Sequence, residues 1–276
     1  MKYFRAAVYG IFLCSCILLV WILIYENVLK EEEKVNMPVI TSSEEILELK
    51  MKEGNDTEKL LEGLLAEDEE DGDLTKEIKV TKQSEFTEPG VFTVTYEVSD
   101  LDGNTTYFSR DAHYTDYSSP RLKIEKEPVC TVGEQPDMTE FVSVTDKIDG
   151  DLTENIRVDS SKLNTEEPGL YPVTLKVTNS MNDTISYRMF LSVKEKTEDR
   201  TAIKLSQYSV TVKKKAEINP EDYINEVLDA DGDVIEDPDL EITNEGSTKN
   251  AGVFPVIYRL DDDDMDAVAV LMVEIR

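Results

Sequence analysis

Histidine occurs once in this 276-residue chain, tryptophan once and cysteine three times. With His113 alone, no histidine-rich metal site and no repeated imidazole acid–base pair can be assembled. Cys14 and Cys16 lie in an uncharged N-terminal run, which leaves Cys130 alone in the rest of the chain. One thiol makes no intradomain bridge, so the domains are not stapled by disulfides. Cys130 stands in "PVCTV", a strand-like apolar pattern, and reads as a small buried residue with no base near it in sequence. A glycine-rich phosphate loop is also missing. Carboxylate pairs abound, but an acidic chain yields them by chance, and units of the size found below leave little room for a deep pocket. Together these absences speak against an enzyme.

Positive charge is the other scarcity. The chain carries 59 Asp and Glu against 29 Lys and Arg, a formal charge of −30. Such a surface repels nucleic acid and anionic headgroups and favours solubility, cations and basic partners. A hydrophobic content of 40% still suffices for packed cores.

The long apolar run lies at the start. "AAVYGIFLCSCILLVWILIY" extends from Ala6 to Tyr25 without a charge. About 20 helical residues cover the roughly 30 Å hydrocarbon core of a bilayer. Lys2 and Arg5 precede the run and the mixed "KEEEK" follows, which favours a cytoplasmic N-terminus and an outward-facing remainder. Trp21 and Tyr25 suit the outer interface. A cleaved signal peptide is the competing reading, but its apolar region would span about 7–15 residues before a small-x-small site. Gly10, Cys14, Ser15 and Cys16 would let a second helix approach closely, a feature shared with ordinary lipid-facing anchors.

Downstream, one pattern recurs at intervals of about 80 residues, the mark of a repeat architecture. "EDEEDGDLTKEIKV", "DKIDGDLTENIRV" and "LDADGDVIEDPDLEI" are followed by "EPGVFTVTYEV" (88–98), "EPGLYPVTLKV" (167–177) and "NAGVFPVIYRL" (250–260). In the first of these strands Phe92, Val94, Tyr96 and Val98 point one way, with Thr93, Thr95 and Glu97 opposite, so one face is buried. Tyr171, Val173, Leu175 and Val177 repeat the pattern, as do Phe254, Val256, Tyr258 and Leu260. Pro172 and Pro255 cannot donate to a ladder, which puts their amide positions at an edge or an irregular start. A polar turn and a second alternating run then complete a hairpin. Each unit opens with strand-like material and a short apolar helix or turn. Some seven short strands in about 80 residues fit a small sandwich of two antiparallel sheets. The connectors "TDYSSP" and "KEKTEDR" suit beads on a semi-rigid string better than one merged core.

The consensus "DGDLT…I.V……PG.Y.VT..V" followed by "D..GN" resembles the bacterial Ig-like repeat named after the pesticidal crystal protein. The resemblance covers nearly all of the chain after the apolar run. It is carried by Asp71 to Thr75, Pro89-Gly90 and Asp102-Gly103-Asn104 in the first unit, and by Asp149 to Thr153 and Pro168-Gly169 in the second. The third departs, with Val234-Ile235 for Leu-Thr and Ala251 for Pro. The resemblance implies a β-sandwich, an extracellular module and no catalytic activity.

Two readings stand side by side for the aspartate loops. In the first, aspartate accepts hydrogen bonds from nearby amides, glycine supplies a positive φ, leucine re-enters the core and threonine caps or begins the next strand. In the second, the acids bind calcium, which takes 6–8 hard oxygens. The candidates are Asp71 with Asp73, Asp149 with Asp151, and Asp231 with Asp233, helped by Asp146 and Asp229. The spacing is not that of an EF-hand, because glycine falls too early and no glutamate closes a twelve-residue loop.

The sequence therefore predicts an all-β protein: three tandem Ig-like β-sandwiches after one N-terminal transmembrane helix. Its parts are a cytoplasmic tail (1–5), the helix (6–25), a linker (26–37) and domains at 38–115, 116–196 and 197–276. It predicts a single-pass, non-catalytic surface protein for binding, adhesion or spacing, with a cell-wall or protein ligand, no nucleic acid and calcium as the one candidate ion. The alternative is an accessory subunit of a membrane or cell-envelope assembly.

Overall fold

The computed structural model describes residues 15–22, 36–197, 200–244, 246–262 and 265–276. Of the apolar run, residues 15–22 are helical and exposed, and the rest lies outside the described residues. Among the described residues no helix is long and apolar enough to cross a membrane.

The remainder is built mainly of strands, arranged three times in nearly the same order. The first set is β1 (Val39–Ser42), β2 (Ile46–Leu49), β3 (Leu64–Asp68), β4 (Gly72–Asp73), β5 (Lys79–Glu88), β6 (Val91–Ser99) and β7 (Thr105–Tyr114). The second is β8 (Arg121–Ile124), β9 (Val129–Thr131), β10 (Val142–Asp146), β11 (Gly150–Asp151), β12 (Arg157–Asp159), β13 (Gly169–Thr178) and β14 (Thr184–Lys194). The third is β15 (Ala202–Leu205), β16 (Ser209–Val212), β17 (Ile224–Leu228), β18 (Glu241–Asn244), β19 (Gly252–Asp262) and β20 (Met265–Ile275).

Each set makes two sheets from its own strands. The orders are β1-β3-β4 with β2-β7-β6-β5, then β8-β10-β11 with β9-β14-β13-β12, then β15-β17 with β16-β20-β19-β18. In every copy the opening strand is divided between the sheets. Its second half lies beside the last strand, and in the second and third copies the pairing is parallel, as Ser192 faces Val129 and Met272 faces Ser209. Such a split strand ties the two layers of a sandwich together at one edge.

The alternation read from the sequence sets the inner faces. Phe92, Val94, Tyr96 and Val98 are all at most 1% exposed. Val173, Leu175 and Val177 fill the same places in the second copy, and Val256, Tyr258 and Leu260 in the third. Both prolines fall just beyond the reach of the edge strand. Pairing of β12 with β13 ends at Thr174, and that of β18 with β19 at Val256, so Pro172 and Pro255 leave no ladder bond unmade. The segments before the aspartate loops are single turns. Asp56 caps Thr57–Leu60 by accepting from the amides of Glu58 at 3.0 Å and Lys59 at 3.4 Å. A 3-10 turn at Pro220–Tyr223 holds the matching place in the third copy.

By compactness the chain divides into two units, Met1–Gln83 with Thr93–Ala112 and Ser84–Phe92 with His113–Arg276. The second and third sandwiches thus share a unit, and they share a core as well. Ile257, Val270 and Met272 of the third are buried in the cluster that holds Val173, Met189 and Leu191 of the second. The cause is visible in "AVAVLMVEI". Ala267, Ala269, Leu271, Val273 and Ile275 line the inner core of the third sandwich, while Val270 and Met272 face the second. A nearly continuous apolar run marks a strand buried on both faces. For this pair a packed junction replaces the beads expected from the polar connectors.

Candidate functional site

The aspartate loops follow β3, β10 and β17, and in the first two copies each acid has a distinct mechanical role. The acid ending the strand closes its own hairpin. Asp68 Oδ1 accepts from the amides of Glu70 at 2.9 Å and Asp71 at 3.0 Å, and Asp146 Oδ1 from those of Ile148 at 2.8 Å and Asp149 at 2.9 Å. The next acid reaches the hairpin turn of the opposite sheet. Asp71 Oδ2 accepts from the Leu101 amide at 2.7 Å, and Asp149 accepts from the Ser180 amide at 2.6 Å and the Ser180 hydroxyl at 2.7 Å. The third caps the turn that follows: Asp73 Oδ1 accepts from the Thr75 amide at 2.9 Å, and Asp151 Oδ1 from the Thr153 amide at 2.9 Å. Hydrogen bonds from Thr75 and Thr153, side chain first and backbone second, hold the Asp73 and Asp151 carboxyls below the usual aspartate range.

The Leu-Thr pair completes the device. Leu74 and Leu152 are buried, 8% and 6% exposed. Thr75 Oγ1 accepts from the Ala66 amide at 3.1 Å, and Thr153 Oγ1 from the Val144 amide at 3.0 Å. Each threonine therefore starts a 3-10 turn and satisfies a strand amide at once. Gly72 and Gly150, at φ +73° and +78°, turn the chain where a side chain would be strained.

In the third copy the motif is out of step. The bridge Leu228–Val234 and the bond from the Asp229 amide to the Asp233 carbonyl at 2.9 Å match Glu67–Asp73 and Asp68–Gly72. Asp233 therefore occupies the position of Gly72, and Ile235, not Val234, takes that of Leu74. The exposures agree, since Val234 is 56% exposed while Ile235 packs against the core of the third sandwich. Pairing Val234-Ile235 with Leu-Thr by sequence is thus one residue out. Asp229 Oδ1 accepts from the amides of Asp231 at 3.0 Å and Asp233 at 2.9 Å, whereas the side chains of Asp231 and Asp233 are exposed.

The six sequence-derived calcium candidates thus fall in three separate loops. Among the described residues no group of three or more His, Cys, Asp or Glu side chains comes together in a way that holds a metal. The sequence singled out neither Asp68, which the spacing shared with Asp146 would have flagged, nor Asp100 in the facing turn, and Asn104 entered only as part of the repeat motif. Cys130 is 6% exposed, and burial, then the Glu134 charge, push its thiol up, as for an inert small core residue. Half-buried His113 lies near the end of β7.

Comparison with known proteins matches this geometry. A family model described as "Bacterial surface protein, Ig-like domain" fits residues 49–113. The pesticidal crystal protein Cry22Aa of Bacillus thuringiensis is 27% identical over 213 residues, covering 72% of this chain and 27% of that protein. The chain thus spans about a quarter of that relative's length. Two solved structures are similar at low scores. One holds the CBM51-2 and INT domains of Clostridium perfringens ZmpB (21% identity, 54% of this chain, 26% of that chain, TM-score 0.23). The other is mouse cadherin-23 EC22-24 (11% identity, 87% of this chain, 99% of that chain, TM-score 0.21). At such TM-scores neither carries an argument. The domain matched at residues 49–113 and the relative together support a bacterial Ig-like repeat.

Proposed function

We propose that the chain is a non-catalytic cell-surface protein whose Ig-like repeats, in domains at 38–115, 116–196 and 197–276, bind a cell-wall or protein ligand or space one from the membrane. The observation that carries this reading is the tandem repetition of one sandwich, whose loop acids in the first two copies are engaged in holding turns and sheets together. A bacterial surface Ig-like domain fits an extracellular role of this kind. Anchoring by residues 6–25, N-terminus inside, is supported by the uncharged run and by Ile17, Leu18, Leu19, Val20 and Trp21, each more than half exposed. The charge of −30 makes nucleic acid an unsuitable partner.

Sedimentation of the full chain with purified cell-wall sacculi tests the binding role. Saturable co-sedimentation that survives 0.5 M salt supports it, and its absence against walls and surface-protein extracts alike leaves spacing alone. An accessory-subunit role rests on the small residues Gly10, Cys14, Ser15 and Cys16. A stoichiometric partner retained through purification in mild detergent would favour that reading, and purification of the chain alone would count against it.

A further inference from the structure

The first and second sandwiches differ at one pole in a way that their shared fold does not require. Asp68 is 8% exposed, and its Oδ2 is buried with no hydrogen-bond partner among the described residues. All its donors sit on Oδ1: the Glu70 and Asp71 amides, and Asn36 Nδ2 at 3.2 Å. The equivalent acid of the second copy has no such orphan. Asp146 Oδ2 receives Asn179 Nδ2 at 3.4 Å, and the same nitrogen donates to the Tyr117 hydroxyl at 2.9 Å. Asn179 directly follows β13, and the residue that directly follows β6 is Asp100. Where the second copy supplies an amide donor, the first supplies another acceptor.

The residues around Asp100 do not make up the deficit. Asp100 accepts from the Asn104 amide at 2.7 Å and from Asn104 Nδ2 at 2.8 Å. Asn104 Nδ2 also reaches the Asn36 carbonyl at 3.2 Å, which links Asp68, Asn36, Asn104 and Asp100 in one chain of contacts. The pole therefore gathers two carboxylates, a main-chain carbonyl and two amide side chains, and among the described residues no N–H is directed at the buried oxygen.

We infer that this pole of the first sandwich binds one calcium ion, with Asp68 Oδ2 as its anchoring ligand and Asp100 as the second carboxylate. Oxygens of Asn36 and Asn104 and water complete the shell. An irregular, all-oxygen set suits Ca²⁺, whereas Mg²⁺ demands near-octahedral geometry and dehydrates reluctantly. With only two carboxylates in the set, affinity falls in the weak class of extracellular modules, a Kd of about 10⁻⁴–10⁻³ M. The site is distinct from the Asp71–Asp73 pair, whose oxygens hold the Leu101 and Thr75 amides.

Equilibrium dialysis of the full chain in mild detergent against ⁴⁵Ca²⁺, beside its thermal unfolding in calcium, magnesium or chelator, tests this. The expected result is one ion per chain and a midpoint raised by about 3–10 °C in 10 mM calcium, with a smaller rise in magnesium. Asp100→Asn restores the Asp–Asn pairing of the second sandwich. It should fold with a higher midpoint in chelator and neither bind calcium nor respond to it. Asp68→Asn should lose binding as well, whereas Asp146→Asn should keep it. No saturable binding by the natural chain, full binding by both Asp68→Asn and Asp100→Asn, or equal stabilisation by the two cations would overturn the inference.

Discussion

Tyr96 donates its hydroxyl proton to the carbonyl of Leu60, 2.8 Å away, across the core of the first sandwich. Tyr258 does the same for Pro220 at 2.8 Å in the third. Each ties a central strand to the single turn ahead of the aspartate loop, and the second copy has Leu175 in that place. Tyr96 also accepts from Arg110 Nε at 3.1 Å, and Arg110 is 5% exposed. Removing the Tyr96 hydroxyl thus strips a buried guanidinium of an acceptor. Tyr96→Phe should cost about 2–3 kcal/mol and Tyr258→Phe about 1 kcal/mol in urea unfolding. Equal costs would contradict the added role of Arg110.

Thr153 Oγ1 serves the Val144 amide, and the Asp151 carboxylate accepts from Thr153 in turn, at 2.6 Å from its hydroxyl and 2.9 Å from its amide. Thr153→Val keeps the shape and orphans a strand amide, which should cost about 1–3 kcal/mol. Thr153→Ser should recover most of it. A Ser variant as unstable as Val would show that the methyl group, not the hydroxyl, matters there.

The out-of-step third loop predicts unequal truncations. Leu152→Ala, at a buried position, should cost about 2–4 kcal/mol. Val234→Ala, at an exposed one, should stay within about 0.5 kcal/mol. A large loss at Val234 would restore the register read from sequence.

Much of this was legible in the sequence. Period-two alternation from Phe92 to Val98 and its two copies placed the central strands, and the turn glycines placed their starts, because a half-buried strand leaves a strong local signature. The Leu-Thr roles followed from turn chemistry. The register of the third loop was not legible, since Asp-Gly-Asp can close a hairpin one step earlier without changing composition. Asp68 was passed over because one aspartate among the five acids of "EDEED" carries no mark within its own loop, and only the spacing it shares with Asp146 singles it out. Its distinction comes from Asp100, a turn of the opposite sheet, and from Asn36. The shared core of the second and third sandwiches did leave a trace, since "AVAVLMVEI" lacks the alternation of an exposed outer face.

That junction can be broken. Val270 is 8% exposed and packs in the core cluster of the second sandwich. Val270→Asp buries an unpaired charge and should cost about 3 kcal/mol or more. It should also raise hydrogen exchange in both β14 and β20. Exchange confined to β20 would mean that the two sandwiches open independently.

Acid sensitivity follows from the capping bonds. The Asp73 and Asp151 carboxyls sit below their ordinary value, so the stability they add is present above the unfolded value, about 3.9. It fades as pH falls from there through the depressed folded values. The midpoint difference between the natural chain and Asp151→Asn should therefore be constant from pH 7 to 5 and shrink below pH 4. A difference that grows on acidification would reverse the assigned sign.

Outward placement of the repeats is open to the most direct measurement. A C-terminal epitope on the full chain, expressed in intact bacterial cells and exposed to proteinase K before lysis, should vanish while a cytoplasmic marker survives. An epitope that stays whole until the cells are lysed would contradict a surface role for the three sandwiches.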